Sequence, residues 1–303
     1  MLLPKRFYFS IYAISYWSRA VLIPLLIIFA KRPQCYVPHE QGIDELYTEP
    51  PAQIDYGTVP PFKKDRTWFT ARNFFINLDA LLKVYDRSPV EWVRQKALKC
   101  AENWMLDHMK GSGGLGAIYP AMANSVMALN CLGYKNDDPL VVKAMREIEE
   151  LEIHDTVMDN GQCVDALHLQ PCHSPIWDTA LLINALSEAG MSQDHPALQK
   201  AATWLLSKQT KTVGDWIISS PGAEPGGWYF QFENELFPDV DDSAVVLMAL
   251  AKVRLPEEEQ QRLAIRRGCR WVTAMQGSDG GWGAYDVDNN RIVFNYIPFA
   301  DHR

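Results

Sequence analysis

A helical unit that recurs along this chain limits its fold more than any other feature. One half of the unit is a helix carrying a tryptophan, then a glutamine five residues on, then a glycine-rich turn ending in a second tryptophan. Trp204–Gln209–Gly214–Trp216 and Trp271–Gln276–Gly281–Trp282 are two copies, and Trp104, Lys110, Gly113, Gly114 and Gly116 form a worn third. The other half opens on an acidic or amide residue and a hydroxyl residue, followed by an apolar helix with a small residue two turns on. Its copies are Asn124–Ser125 with Cys131, Asp178–Thr179 with Ala185, and Asp242–Ser243 with Ala249. The openings recur after about 54 and then about 64 residues, a spacing of stacked helix pairs. Asx-Ser/Thr pairs suit helix N-termini, where a side-chain oxygen satisfies an orphan N–H, so all three are expected to cap their helices. Helix pairs of this period form a solenoid or close into a double ring, and the helical segments here are too few to close one. The expected fold class is all-α, an α/α toroid (α/α barrel) of helical repeats left incomplete.

Around the repeats the pattern is helical almost throughout, and period-2 runs of β-branched residues are scarce. Phe74, Phe75, Leu78, Leu81, Leu82 and Tyr85 repeat at helical spacing. From Pro33 to Asp65 the prolines Pro33, Pro38, Pro50, Pro51, Pro60 and Pro61 exclude a long helix. Ala20 to Ala30 is an eleven-residue apolar run between Arg19 and Lys31–Arg32. A bilayer crossing needs ~20 apolar residues, so the run reads as a buried helix, or else as one dipping into a membrane surface. Six cysteines, Cys35, Cys100, Cys131, Cys163, Cys172 and Cys269, lie scattered without a CxxC, which reads as reduced thiols and neither a disulfide framework nor a zinc site. A net charge of −8 argues against an electrostatic grip on nucleic acid.

Phe237–Pro238–Asp239–Val240–Asp241–Asp242–Ser243 places three carboxylates in four residues at the start of an apolar helix. One Asp is accounted for by the helix macrodipole and by capping; three exceed that. Like charges this close cannot all ionise cheaply, so at least one is expected to stay protonated, as a general acid does. An exposed cap cluster and a divalent metal site are the other readings of these residues taken alone. Trp228, Tyr229, Phe230 and Phe232 stand immediately upstream, with Trp177, Trp282 and Tyr285 further off. An acid among aromatic faces suits carbocation chemistry, because ring quadrupoles attract a cation without offering it a base. Trp204, Trp216, Trp271 and Trp282 are assigned to packing between repeats.

Asp239–Val240–Asp241–Asp242 resembles the DxDD acid of class II terpene cyclases. Arg267–Gly268–Cys269–Arg270–Trp271, Gln276 and Gly280–Gly281–Trp282 resemble the Gln-Trp repeats of triterpene cyclases. Tyr16–Trp17–Ser18–Arg19, Ser174–Pro175–Ile176–Trp177–Asp178–Thr179 and Gly281–Trp282–Gly283–Ala284–Tyr285–Asp286–Val287–Asp288–Asn289 are similar, in the same order, to stretches of the squalene–hopene cyclases. The resemblance covers essentially the whole chain. It implies that Asp241 donates a proton to a terminal alkene of squalene, tuned by Asp239 and Asp242, and starts a cationic polycyclisation to hopanoids. Trp17, Trp177, Phe230, Tyr285 and Phe299 match cation-stabilising cavity positions, and Gln231, Ile118, Tyr119, Pro120 and Cys172 match the same wall. It implies two α/α barrels, with residues 1–171 part of the first and residues 172–303 part of the catalytic one. No metal and no organic cofactor are expected. The expected partners are squalene or a related polyprenoid, a membrane surface and a second copy of the full-length enzyme. The expected location is monotopic, on the cytoplasmic side of a membrane, and Phe74, Phe75, Leu78, Leu81 and Leu82 fall near the family's membrane-dipping plateau.

Departures from the family pattern shape one further expectation. Family members are considerably longer, and the histidine that hydrogen-bonds the acid, the later Gln-Trp repeats and further cavity aromatics would lie beyond Arg303. Cys172 stands where many relatives have a small hydroxyl residue. A cavity lacking one wall cannot stay dry, so the chain as written is expected to be an incomplete, poorly active fragment. The alternatives are another α/α-barrel enzyme, prenyltransferase-like or a glycosidase, and a non-catalytic helical-repeat remnant.

Overall fold

The computed structural model of the chain describes all residues except 6, 8, 9, 39, 40, 51, 52, 55–63, 160, 290, 291 and 298–303. It divides into two compact units: Met1–Lys31 with Lys96–Asn289, and Arg32–Gln95 with Asn290–Arg303. The described residues form nine α-helices: α1 (Tyr16–Lys31), α2 (Ala71–Arg87), α3 (Glu91–His108), α4 (Tyr119–Leu132), α5 (Pro139–Glu149), α6 (Pro175–Glu188), α7 (Pro196–Ser207), α8 (Val240–Leu250) and α9 (Glu258–Ala274). The predominantly helical architecture is that of an α/α toroid. In the first unit α4 packs with α5, α6 with α7 and α8 with α9, and α1 lies on α4 as α6 lies on α8.

Proline, more than the Asx-Ser/Thr pairs, sets where these helices begin. Pro120 and Pro175 occupy the first turns of α4 and α6, where a missing N–H costs nothing and a fixed φ favours the helix. Asn124, Asp178 and Asp242 consequently lie inside their helices, and the expectation that they cap them is corrected. The cap of α8 is Asp239, whose side chain accepts from the Asp242 N–H, and the cap position of α6 is Ser174. The hydroxyls turn inward instead: Ser125 Oγ donates to Met122 O at 2.7 Å and Ser243 Oγ to Asp239 O at 2.6 Å.

A two-stranded antiparallel hairpin, β1 (Glu152–Asp159) and β2 (Gln162–Leu169), was not anticipated. Its residues are mostly exposed, so no buried face imposed a readable alternation. The Asn160–Gly161 dipeptide between the strands is a strong hairpin signal that the helical reading passed over, and Gly161 has φ +79°.

The glutamine and tryptophan turns tie one helix pair to the next. Gln209 Nε2 donates to the carbonyls of Gly226 and Ala264, both at 2.8 Å, and so fastens its turn to α9. Trp216 and Trp271 are fully buried edge to face at 6.1 Å, as their assignment to packing requires. Trp282 differs: it is half exposed, its indole donating to Val272 O at 2.8 Å. Close approach depends on Gly227, where an added Cβ would stand 2.6 Å from the Trp271 ring and 2.9 Å from Ser243 Oγ. Two cores result. One joins α1, α3, α4 and α5 with Trp216, Phe237, Val240 and Trp271; the other joins α6, α7 and α8 with Trp228 and Tyr229. Helix α8 starts in the first core and ends in the second.

Helix α1 is the apolar run, buried along one face and exposed along the other. Ala20, Ile23 and Ile27 are buried, while Leu22, Leu26 and Phe29 are exposed. Its position is set by Arg19, which is 0% exposed. The guanidinium meets Asp215 Oδ2 at 2.9 Å and donates to the carbonyls of Ile11, Tyr12 and Ile14 at 3.2, 3.0 and 3.0 Å. Trp104 Nε1 donates to the same Asp215 oxygen at 3.0 Å. In the second unit Thr70 caps α2, which buries Phe75 and exposes Phe74, Leu81, Leu82 and Tyr85.

Removing one member of a buried ion pair strands the other charge, so Arg19→Met is expected to cost about 3–5 kcal/mol in urea unfolding at neutral pH. Burial alone would raise the Asp215 pKa, but His108, Trp104 and Arg19 outweigh it and hold the carboxyl well below its usual range. A lowered folded-state pKa contributes stability above the unfolded value that is lost as pH falls through the folded one. The gap between Arg19→Met and the unaltered chain therefore narrows in acid, and the double variant R19M/D215N recovers part of the loss. A gap that stays constant from neutral to strongly acidic pH would refute this account.

Candidate active site

The three carboxylates sit where the two cores meet. Pro238 leads into Asp239, which is extended (φ −127°, ψ 161°) and caps α8 by accepting the Asp242 N–H on Oδ1 at 2.7 Å. Asp239 N–H donates to Trp228 O and Val240 N–H to Ala284 O, both at 2.9 Å. Asp239 and Asp242 are each 2% exposed, whereas Asp241 in the same first turn is exposed. Asp239 Oδ2 and Asp242 Oδ1 are buried without a hydrogen-bond partner.

This placement determines their titration. Burial, then the hydrogen bond and charge of Asp242, push the Asp239 carboxyl far above its usual range. Burial also raises Asp242, to about 6, with the charges of Asp241 and Asp178 adding and its bond with Asp239 opposing. The helix macrodipole favours carboxylates here by ~0.3–1 kcal/mol, too little to offset desolvation and mutual repulsion. The two buried carboxyls therefore behave as a proton-holding pair beside an exposed third. Sequence alone required that at least one be protonated; the structure identifies Asp239 and Asp242 as the carboxyls raised by burial.

Aromatic rings crowd this turn. Tyr285 stacks on Trp17 at 5.5 Å and 18° and meets Tyr16 edge-on at 5.4 Å and 84°. Tyr16 in turn stacks on Phe237 at 6.2 Å. Burial raises the Tyr285 phenol, and the nearby charges of Asp239, Asp242 and Asp241 raise it further. Asp286 accepts from the Ser15 hydroxyl and the Tyr16 N–H. Residues 284–286 thus stitch the start of α1 to the start of α8.

The remaining positions group around these. Trp177 and Phe230 form a second ring pair at 6.3 Å, and Asp178 next to Trp177 adds charge at Asp242. Ile118 is buried, while Tyr119 and Pro120 are exposed at the start of α4. Tyr119 N–H donates to Pro171 O at 2.8 Å, which sets Cys172 beside α4. Cys172 is partly buried, which raises its thiol. Gln231 is buried, its Oε1 accepting from Asn234 Nδ2 at 2.9 Å, and Asn234 also donates to Gly116 O at 3.2 Å. Phe299 lies outside the described residues. Phe232, which the sequence grouped with the upstream aromatics, is exposed against His173. Tyr16 stood in sequence only as part of the Tyr16–Trp17–Ser18–Arg19 stretch and Asn234 not at all, because nothing local distinguishes a tyrosine or asparagine whose partner is distant in the chain.

Comparison with known proteins extends over the same residues. Residues 1–156 match the family model of the squalene-hopene cyclase N-terminal domain, and residues 173–303 match that of the C-terminal domain. A squalene-hopene cyclase of Schizosaccharomyces japonicus is 38% identical over 316 residues, covering all of this chain and 45% of the relative. One from Bradyrhizobium diazoefficiens is 39% identical over all of this chain and 44% of its own length. A dammaradiene synthase of Dryopteris crassirhizoma is 39% identical over 99% of this chain and 42% of its own length. The chain thus spans less than half the length of the curated relatives it matches. With both domain models matched in order, one on either side of the β1–β2 hairpin's second strand, the chain belongs to the squalene-hopene cyclase family.

Proposed function

We propose that this chain is the acid-bearing part of a triterpene cyclase acting on squalene or a related polyprenoid. The observation that carries the reading is the buried carboxyl pair at the head of α8, whose charges reach Tyr285, the ring stacked on Trp17. In this reading the Asp239–Asp242 pair resupplies Asp241 with a proton, and Asp241 transfers it from its carboxyl to the less substituted carbon of a terminal alkene. A C–H bond forms, the π bond is lost, and a tertiary cation is left. The Asp239–Asp242 pair holds negative charge off its neighbour, because two raised carboxyls share a proton that a free pair would release. Successive alkenes attack the cation in turn, and loss of a proton or capture of water ends the sequence.

The rings of Trp17, Tyr285, Trp177 and Phe230 stabilise cationic carbon by their quadrupoles, worth ~2 kcal/mol where desolvated, without a nucleophilic lone pair in line. Ile118, Tyr119, Pro120, Gln231 and Cys172 belong to the same wall in this reading. Residues 1–171 then belong to a first barrel and residues 172–303 to the catalytic barrel. No helix among the described residues is long and apolar enough to cross a membrane. The exposed Phe74, Leu81, Leu82 and Tyr85 of α2, with Trp68 and Phe69 before it, support a monotopic hold on the cytoplasmic face of a membrane. The full-length enzyme acts as a homodimer in this proposal.

Three outcomes are expected. Expressed in a squalene-producing host without a triterpene cyclase, the reading frame containing these residues yields a polycyclic triterpene by gas chromatography–mass spectrometry, and Asp241→Asn lowers it by about 10²–10⁴-fold. Absence of any polycycle, or a yield indifferent to the substitution, would sink the reading. Because Asp242 has a raised folded-state pKa, its proton stabilises the fold fully below the unfolded value of about 4, and that contribution is lost as pH rises through about 6. The unaltered chain accordingly loses up to about 3 kcal/mol over this window, and Asp242→Asn flattens the loss; matching slopes in urea-midpoint titrations of the two proteins contradict it. Co-sedimentation with phospholipid vesicles is expected to fall severalfold in L81E/L82E, and equal binding by both proteins would remove α2 from the membrane contact.

A further inference from the structure

Two peptide planes flank the Cα of Asp239, and each is held at both ends. In the second, Asp239 O accepts the Ser243 hydroxyl at 2.6 Å while Val240 N–H donates to Ala284 O at 2.9 Å. In the first, Asp239 N–H donates to Trp228 O at 2.9 Å, and the other end, Pro238 O, accepts the hydroxyl of Tyr16. Pro238 cannot donate, so its carbonyl is the only handle that residue offers. The group that takes it comes from the start of α1, 222 residues away in the chain.

Tyr16 is built to hold that contact. It is 0% exposed, stacked on Phe237 and edge-on to Tyr285, so its ring has nowhere to rotate. Its own N–H is taken by Asp286, and Arg19, one turn on, locks the helix through Asp215. Burial, with the nearby charges of Asp239, Tyr285 and Asp286, raises the phenol well above its usual value, so it remains a donor across the working pH range.

We propose that Tyr16 is a positioning residue for the acid: its hydroxyl fixes the peptide plane before Asp239 and thereby the direction in which that carboxyl meets Asp242. Without the hydroxyl, Pro238 O is a buried acceptor with no donor, and the plane is free to tilt about its remaining bond to Trp228. The catalytic consequence rests on the cyclase reading. The positioning itself does not.

The test is Tyr16→Phe in the 303-residue chain, which keeps the ring and deletes the hydroxyl. Tyr134→Phe serves as the control, since it removes a tyrosine hydroxyl bonded to Glu102, away from the acid. Two substrate-free readouts are used. Amide hydrogen exchange at Asp239 and Val240 is expected to rise about tenfold relative to Val246 inside α8, the effect of one lost buried bond. The infrared band of protonated carboxyl is expected to titrate at lower pH, because a tilted Asp239 is less desolvated; Asp242, Asp241 and Tyr285 act on it and are unchanged, as is Asp178, which acts on Asp242. Tyr134→Phe leaves both readouts as they are. If Tyr16→Phe matches Tyr134→Phe in both, the hydroxyl positions nothing and the proposal falls. Should Tyr16→Phe not fold, exchange in the unaltered chain decides: Asp239 and Val240 amides as slow as Val246 uphold the clamp, and amides as fast as the exposed Gly280 turn overturn it. Neither readout involves cyclisation, so failure of the cyclase reading leaves a distinct signature.

Discussion

Arg19 carries a full positive charge to a position with no solvent exposure, and the placement of the acid turn depends on how that charge is accommodated. An unpaired guanidinium in such a place would be untenable; here Asp215 and three carbonyls surround it. The three carbonyls belong to the chain just before α1, and Asp215 belongs to the turn after Gly214. The arrangement forces the start of α1 against a repeat nearly two hundred residues away. Tyr16 and Trp17 are carried with it to the head of α8. Since such a pair is rarely a net gain over well-packed apolar residues, its contribution is best understood as register: only one rotation of α1 satisfies all the donors of Arg19.

The acid turn shows a second competition with a different winner. A helix N-terminus attracts negative charge, and Asp239 uses it by capping α8. Placing three carboxylates there asks far more of the dipole than its fraction of a unit charge can give. The exposed Asp241 is solvated, but Asp239 and Asp242 are enclosed by Trp228, Ser243 and the 284 turn. Desolvation therefore decides their state, and both carboxyls move upward. The same enclosure leaves one oxygen of each without a partner, an arrangement tolerable for a pair that shares a proton and costly for two carboxylates.

How far the sequence could be read follows from where each signal resides. The repeat, the helices and the carboxylate run are local, and the structure realises them: the Gln209 and Trp216 positions bind neighbouring repeats, and the apolar spacing of Phe74 to Tyr85 becomes α2. The Asx-Ser/Thr pairs were misread as caps because composition at a helix start does not say which residue is first; Pro120 and Pro175 did. The hairpin escaped because its strands bury almost nothing, leaving only Asn160–Gly161 to announce it. The Asp run showed that some carboxyl is protonated, yet which one depends on burial by Trp228 and Ala284, contacts between distant repeats. Tyr16 and Arg19 were legible only as letters of a motif. Their partners, Pro238 and Asp215, are 222 and 196 residues away.

In the proposed cyclase reading, the placement of the rings also bears on the direction in which cyclisation runs. Proton transfer leaves a carboxylate beside a new cation, and at ~5 Å with an effective dielectric near 20 their attraction is ~3 kcal/mol. A single ring offers ~2 kcal/mol at best. Rings alone would therefore not draw the cation away from the acid. In that reading the stacked pair of Tyr285 and Trp17, within reach of the carboxyls' charges, offers the new cation its first ring face. Trp177 with Phe230 then supplies a second ring pair beside Asp178. In that reading the exothermic conversion of π bonds into σ bonds, and not a gradient supplied by the rings, gives the cyclisation its direction. In that reading the chain's share of the work is to hold the acid and its rings at fixed distances, through the buried hydrogen bonds of Tyr16 and Arg19 at the start of α1.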